Sequence, residues 1–236
     1  MRGCLLACAL VLGGGARAGT GELPETGFRG LSVHQFERQC FGDGSVHYDP
    51  ALATPRNDFI EDAGHPAGGW RVVLVGRIAA DGPRYELRYD DGPSCDPTFS
   101  LWKEGADVAL GEFAGDHLVM PGNGALYLIR RSNRAFESRE KWLLRDGRLT
   151  EASQSHYYVG LDTRARRELQ LLQRPAADAG VLATVPPAER VLIVLQQTVA
   201  SRDWYLVRTP FGLVGWVRDD AYGEDRLFED LQFLGD

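Results

Sequence analysis

Apolar residues recur at every second position over short runs along this chain, and clusters of Gly, Pro, Asp and Asn interrupt them. Trp70 to Ile78 (WRVVLVGRI), Arg84 to Tyr89 (RYELRY), Thr98 to Trp102, Val108 to Phe113 and Ala125 to Arg130 (ALYLIR) each have the length and composition of a strand. Phe136 to Leu144, Arg148 to Ala152 and Tyr157 to Leu161 continue the series. Between them stand Asp81-Gly82-Pro83, Asp91-Gly92-Pro93, Pro121-Gly122-Asn123-Gly124 and Asp146-Gly147, whose side chains and backbone freedom favour turns. Strands of this length at this spacing predict an all-β chain, an antiparallel meander closing into a sandwich or barrel, and no βαβ alternation is present. The best helical candidate is Arg164 to Leu172 (RARRELQLL), enough for one turn or two, although Leu169, Leu171 and Leu172 can equally begin a strand. No period repeats dependably, so a propeller has no support.

Asp203 to Asp219 (DWYLVRTPFGLVGWVRD) places two β-branched and aromatic runs around Pro210-Phe211-Gly212 and predicts a tight hairpin, preceded by a strand over Arg190 to Gln196. Alternation sets Tyr205 and Val207 on one face and Trp204 and Leu206 on the other. The positions Trp204, Val207 and Gly212-Leu213-Val214-Gly215-Trp216-Val217 resemble the pattern of SH3 domains, in the bacterial form carried by exported, envelope-associated proteins. The resemblance covers the last quarter to third of the chain. It implies a small SH3-like barrel in which Gly215 permits close approach, and ligand-binding candidates Trp204, Phe211, Trp216 and Tyr222. Trp204 follows the polar loop Ser201-Arg202-Asp203 and is the aromatic expected to be most exposed. Two departures matter: Arg218 occupies the place of a proline found in peptide-binding SH3 domains, and Pro175 to Glu189 contains no aromatic residue. A polyproline groove needs aromatic walls. The resemblance therefore implies contact with cell-wall peptide, a polysaccharide or a partner protein.

Domain organisation follows from these patterns. Met1-Arg2, the apolar run Cys4 to Leu12 and Ala16-Arg17-Ala18 make residues 1–18 a signal peptide cleaved before Gly19, with a lipidated Cys8 as the alternative. Residues 19–30 form a flexible leader, 31–165 a β-rich domain of uncertain family, and 166–236 the SH3-like barrel. The apolar tail Leu227 to Leu234 is expected to dock on the barrel. An exported, periplasmic or secreted protein with no stable membrane span is the resulting expectation.

Composition refines this picture. The 236 residues carry 26 basic and 33 acidic side chains, and loss of Arg2 and Arg17 with the signal leaves 24 basic ones. Such acidity disfavours nucleic acid. Cys40 and Cys95, the two cysteines outside the signal, predict a disulfide in an oxidising compartment. Between Tyr127 and Tyr158 a basic and aromatic stretch offers a second binding patch, Arg130, Arg131, Arg139, Trp142 and Tyr158, with Glu137, Glu140 and Glu151 interleaved. The five histidines are scattered, and no zinc, nucleophile-elbow or phosphate-loop motif occurs, so neither a cofactor nor a catalytic residue is predicted. His47-Tyr48-Asp49 and Asp90-Asp91 with Asp96 are weak metal candidates that turn chemistry explains as well. The reading is a non-enzymatic envelope binding or scaffold protein. An envelope hydrolase with its site in the N-terminal domain, and a barrel that only caps its neighbour, are the alternatives.

Overall fold

The computed structural model describes residues 25–38, 42–66, 68–92, 95–131, 135–219 and 225–231, without the Arg131 side chain. The expected signal peptide, Cys40, Tyr222 and the last five residues lie outside the described residues. The fold is all-β: among the described residues seventeen strands form three sheets and no α-helix occurs. No described helix is long and apolar enough to cross a membrane.

The first sheet has the order β1 (Ser32–Glu37), β2 (Asp43–Tyr48), β8 (His117–Met120), β9 (Ala125–Arg131), β10 (Glu137–Arg145) and β11 (Arg148–Glu151). The second is a meander of β3 (Ala53–Glu61), β4 (Gly69–Arg77), β5 (Arg84–Asp90), β6 (Thr98–Lys103) and β7 (Ala109–Ala114). Because this meander is inserted between β2 and β8, those two strands pair in parallel, where the sequence pattern suggested antiparallel neighbours throughout. Every other pairing in the three sheets is antiparallel. Alternation explains why the two sheets face each other: Val46, Leu118 and Leu128 from the first bury against the same core as Leu74, Leu87, Phe99 and Leu101 from the second. Burying each such side chain contributes about 1.5–3 kcal/mol.

The third sheet has the order β12 (Tyr157–Arg164), β15 (Arg190–Val199), β16 (Arg202–Arg208), β17 (Val214–Arg218), β13 (Leu169–Leu172) and β14 (Val181–Val185). Three expectations change here. The segment 164–172 holds the end of β12 and the strand β13, with no helical turn; its leucines alternate inward with a period of two, Leu169 and Leu171 being buried. Residues 157–164, placed by sequence in the N-terminal domain, hydrogen-bond to β15 and belong to the C-terminal sheet. The expected barrel is an open six-stranded sheet whose outer members are β12 and β14.

Its inner face gathers Leu169, Leu171, Val185, Val191, Ile193, Tyr205, Val207 and Val217 into a second core. The tail closes that core as expected. Phe228 is buried within it, Arg166 N donates to Leu227 O at 2.8 Å, and Thr163 Oγ1 donates to Asp230 Oδ2 at 2.9 Å. Gly215 lies where a Cβ would come within 2.8 Å of the Leu171 Cβ, so the close approach is to a core side chain on neighbouring β13. Phe136, from the β9–β10 connection, also joins this second core and ties the two units together.

Candidate functional site

The residues opposite the second core form a continuous row. Directly paired positions in neighbouring antiparallel strands point to the same face. Tyr158 pairs with Leu195, Leu195 with Leu206, Leu206 with Trp216, Trp216 with Leu172, and Leu172 with Val181. One transverse row of six apolar or aromatic side chains therefore crosses all six strands on the face turned away from the core. Tyr158 is 62% exposed and Val181 51%, while the four between them are half-buried. Gly160, with φ +65, creates the register shift beside Tyr158; a Cβ there would lie 2.4 Å from the tyrosine hydroxyl, so the ring lies flat over its own strand.

Two mixed rows, each with one arginine, flank this one. Gln197, Trp204 and Arg218 are mutual cross-strand neighbours on one side, and Leu192, Arg208 and Val214 on the other. Beyond Val214 the hairpin turn carries Phe211, 89% exposed, closed by a hydrogen bond from Thr209 N to Leu213 O of 2.9 Å.

The structure thus brings together some of the residues singled out by sequence and separates others. Trp216 lies within the row, and Phe211 at the hairpin tip beyond Val214. Trp204 faces the expected side but is only 4% exposed, a correction to the expectation of an open aromatic. It lies two residues inside β16, a central strand, between the long cross-strand neighbours Gln197 and Arg218. Tyr158 leaves the basic and aromatic patch for the C-terminal row. Arg130 and Trp142 face the N-terminal core instead: Arg130 Nε and the Trp142 indole donate to the buried Glu140 carboxylate at 2.9 and 3.2 Å, with Ser138 Oγ at 3.1 Å. Arg139, one residue from Glu140 along β10, is exposed on the opposite face. No single patch unites these residues. Leu172, Val181, Leu195, Leu206 and Arg208 were not singled out by sequence reasoning, because their common face emerges only from register across six strands.

The N-terminal domain holds its polar groups differently. Arg38 reaches Asp116 at 2.7 Å and Asp91 at 3.5 Å, and the Tyr89 hydroxyl donates to Asp91 at 2.6 Å. Burial, reinforced by the bond to Asp91, pushes the Tyr89 hydroxyl far above its ordinary range, so it remains a donor. Asp90 faces His65 at 3.5 Å, and Asp49 accepts the Ala51 amide of its own turn. His47 and Tyr48 alternate to opposite faces of β2. Among the described residues no group of three or more His, Cys, Asp or Glu could hold a metal ion. Ser45 Oγ contacts His117 Nδ1 at 2.9 Å across the parallel pair, but Ser45 is completely buried and offers substrate no nucleophile. Beside it, the His47 Nε2 atom is buried without a partner, and burial holds that imidazole below its ordinary pKa.

No family model matches the chain, and no curated protein and no solved structure matches it.

Proposed function

We propose that this protein is an exported, non-enzymatic envelope-binding or scaffold protein that engages cell-wall material or a partner protein through the outer face of its C-terminal sheet. The observation that carries this reading is the continuous row from Tyr158 to Val181. A sheet that already buries one face in a complete core has no folding need for apolar side chains along its other face, and exposed apolar continuity marks interaction surfaces. Among the described residues Phe136 packs into the second core, on the face opposite the row, which speaks against a purely capping role for the row. The hairpin of β16 and β17, with Gly215 under Leu171, supports reading the sheet as an SH3-like module.

Export is part of the same proposal and rests on the signal-like residues 1–18 and on the remaining cysteines. A disulfide at Cys95 belongs to this proposal. Cys40 is the partner we assign to it, because Arg38, two residues before it, clasps Asp91, four residues before Cys95. Non-reducing peptide mapping should recover the 40–95 pair, and mass spectrometry of the exported protein should find Gly19 first. A lipidated Cys8 or a reduced Cys40 would contradict these assignments.

The test of binding is a pull-down of the mature chain with sacculi and envelope extracts, alongside Trp216→Ala. Thermal melts should show both proteins folded. The variant should lose about 2 kcal/mol of binding free energy, the loss typical of an aromatic at the centre of an interface. Equal capture of both proteins would remove the row from the binding surface.

A further inference from the structure

The tip of the hairpin between β16 and β17 is apolar and open to solvent. Phe211, Leu213 and Val214 are all exposed, and the seven residues from Thr209 to Gly215 include no charged side chain. A single exposed apolar residue is ordinary on a protein surface. Phe59 and Val108 are of that kind, each with an acidic neighbour in sequence, Asp58 and Asp107. The hairpin tip instead gathers three within four residues.

Its polar groups are turned on one another. Thr209 N donates to Leu213 O and Gly212 N to Thr209 O, both at 2.9 Å, while Leu213 N donates to Thr209 Oγ1 at 3.1 Å and Pro210 has no N–H to satisfy. The Thr209 hydroxyl in turn donates to Leu213 O at 3.4 Å. Backbone groups that lack a partner in the protein hold a chain in water, so this internal pairing lets the tip enter an apolar medium at small cost. The same bonds fix its shape before contact, and little conformational freedom is lost on binding.

We propose that the hairpin tip inserts Phe211, with Leu213 and Val214, into the interfacial layer of a lipid bilayer, as a peripheral contact that does not span it. Apolar side chains on a polar body settle at the boundary between headgroups and acyl chains. A protein partner fits less well, because a protein interface surrounds its apolar centre with hydrogen-bonding groups, and the tip has spent its own internally. The contact needs no net charge. With one phenyl ring as its main anchor it is weak and reversible. The inference goes beyond the binding role of the row, which crosses the sheet from β12 to β14, whereas the tip closes one end of β16 and β17.

The experiment uses the full mature chain and vesicles of phosphatidylcholine, which carry no net charge, so that capture reports apolar insertion. The wild-type chain should sediment with the vesicles, with little dependence on salt. Phe211→Asp should weaken that partition roughly tenfold or more, while melting normally and keeping its capture by lipid-free sacculi. Phe211→Trp should still bind, with emission that shifts to the blue and is quenched by doxyl-labelled lipid, and this measurement decides the matter if Phe211→Asp misfolds. No binding of the wild-type chain, or equal binding of Phe211→Asp, overturns the insertion. Binding confined to vesicles that contain phosphatidylglycerol overturns it in favour of charge attraction. Loss of sacculus capture by Phe211→Asp without vesicle binding also overturns it and joins the tip to the row. Should Trp216→Ala leave sacculus capture unchanged while Phe211→Asp loses the vesicles, the role of the row falls and that of the tip stands.

Discussion

In the N-terminal sandwich Arg38 lies below the surface between Asp91 and Asp116, whereas in the C-terminal sheet Arg208 and Arg218 stand exposed beside half-buried Leu206 and Trp216. The first arrangement is closed. Arg38 has Asp91 and Asp116 as partners, and Glu140 likewise collects Arg130, Ser138 and Trp142. The second is open, with a row of apolar side chains on the face turned away from its core. Polar groups inside a fold must be satisfied there, so such clusters report on stability, whereas apolar continuity on an outward face points to a partner.

Four substitutions probe this contrast. Arg38→Leu should destabilise the sandwich most, by about 3–5 kcal/mol in chemical denaturation, because it removes the cation shared by buried Asp91 and partly buried Asp116. A loss below about 1 kcal/mol, the size of an exposed pair, would mean that the clasp is open to water. Trp204→Ala should cost about 3 kcal/mol or more despite facing outward, since its ring is buried. An unchanged melting temperature would return Trp204 to the candidate binding surface. A smaller effect concerns His47. Its imidazole is depressed below the ordinary 6.5, so the unfolded chain takes up the proton first on acidification. The stability this group contributes is full above pH 6.5 and is lost as pH falls from there toward the folded-state value. In His47→Asn the unfolding free energy should fall less over that window, and identical profiles would show that the ring is solvated. Smallest of all, Phe211→Ser at the hairpin tip should change stability by no more than about 0.5 kcal/mol.

These outcomes also bear on what was readable in advance. The hairpin of β16 and β17 was legible because Pro210-Phe211-Gly212 separates two runs of alternating character, and that alternation correctly turned Tyr205 and Val207 inward. β10 and β11 were legible through Asp146-Gly147, both with positive φ. β3 was not, because its residues from Thr54 to Phe59 are exposed on both faces and leave no apolar period. β14 escaped notice among Ala, Gly and Pro. The apolar row was beyond reach for a different reason: register shifts between Tyr158 and Leu161, Ile193 and Leu195, and Leu171 and Leu172 change which residues share a face. Trp204 failed through context. A strand-start position predicts exposure only where no long neighbour lies opposite.

Hydroxyl-radical footprinting of the mature protein, free and bound to sacculi, tests the central claim most directly because it reads both regions in one measurement. Tyr158, Leu206 and Trp216 should become protected on binding. Phe59 and Val108, 60% and 74% exposed on the N-terminal domain, should oxidise at unchanged rates. Protection of Phe59 or Val108 with Trp216 unaffected would contradict the account and move the binding surface to the sandwich.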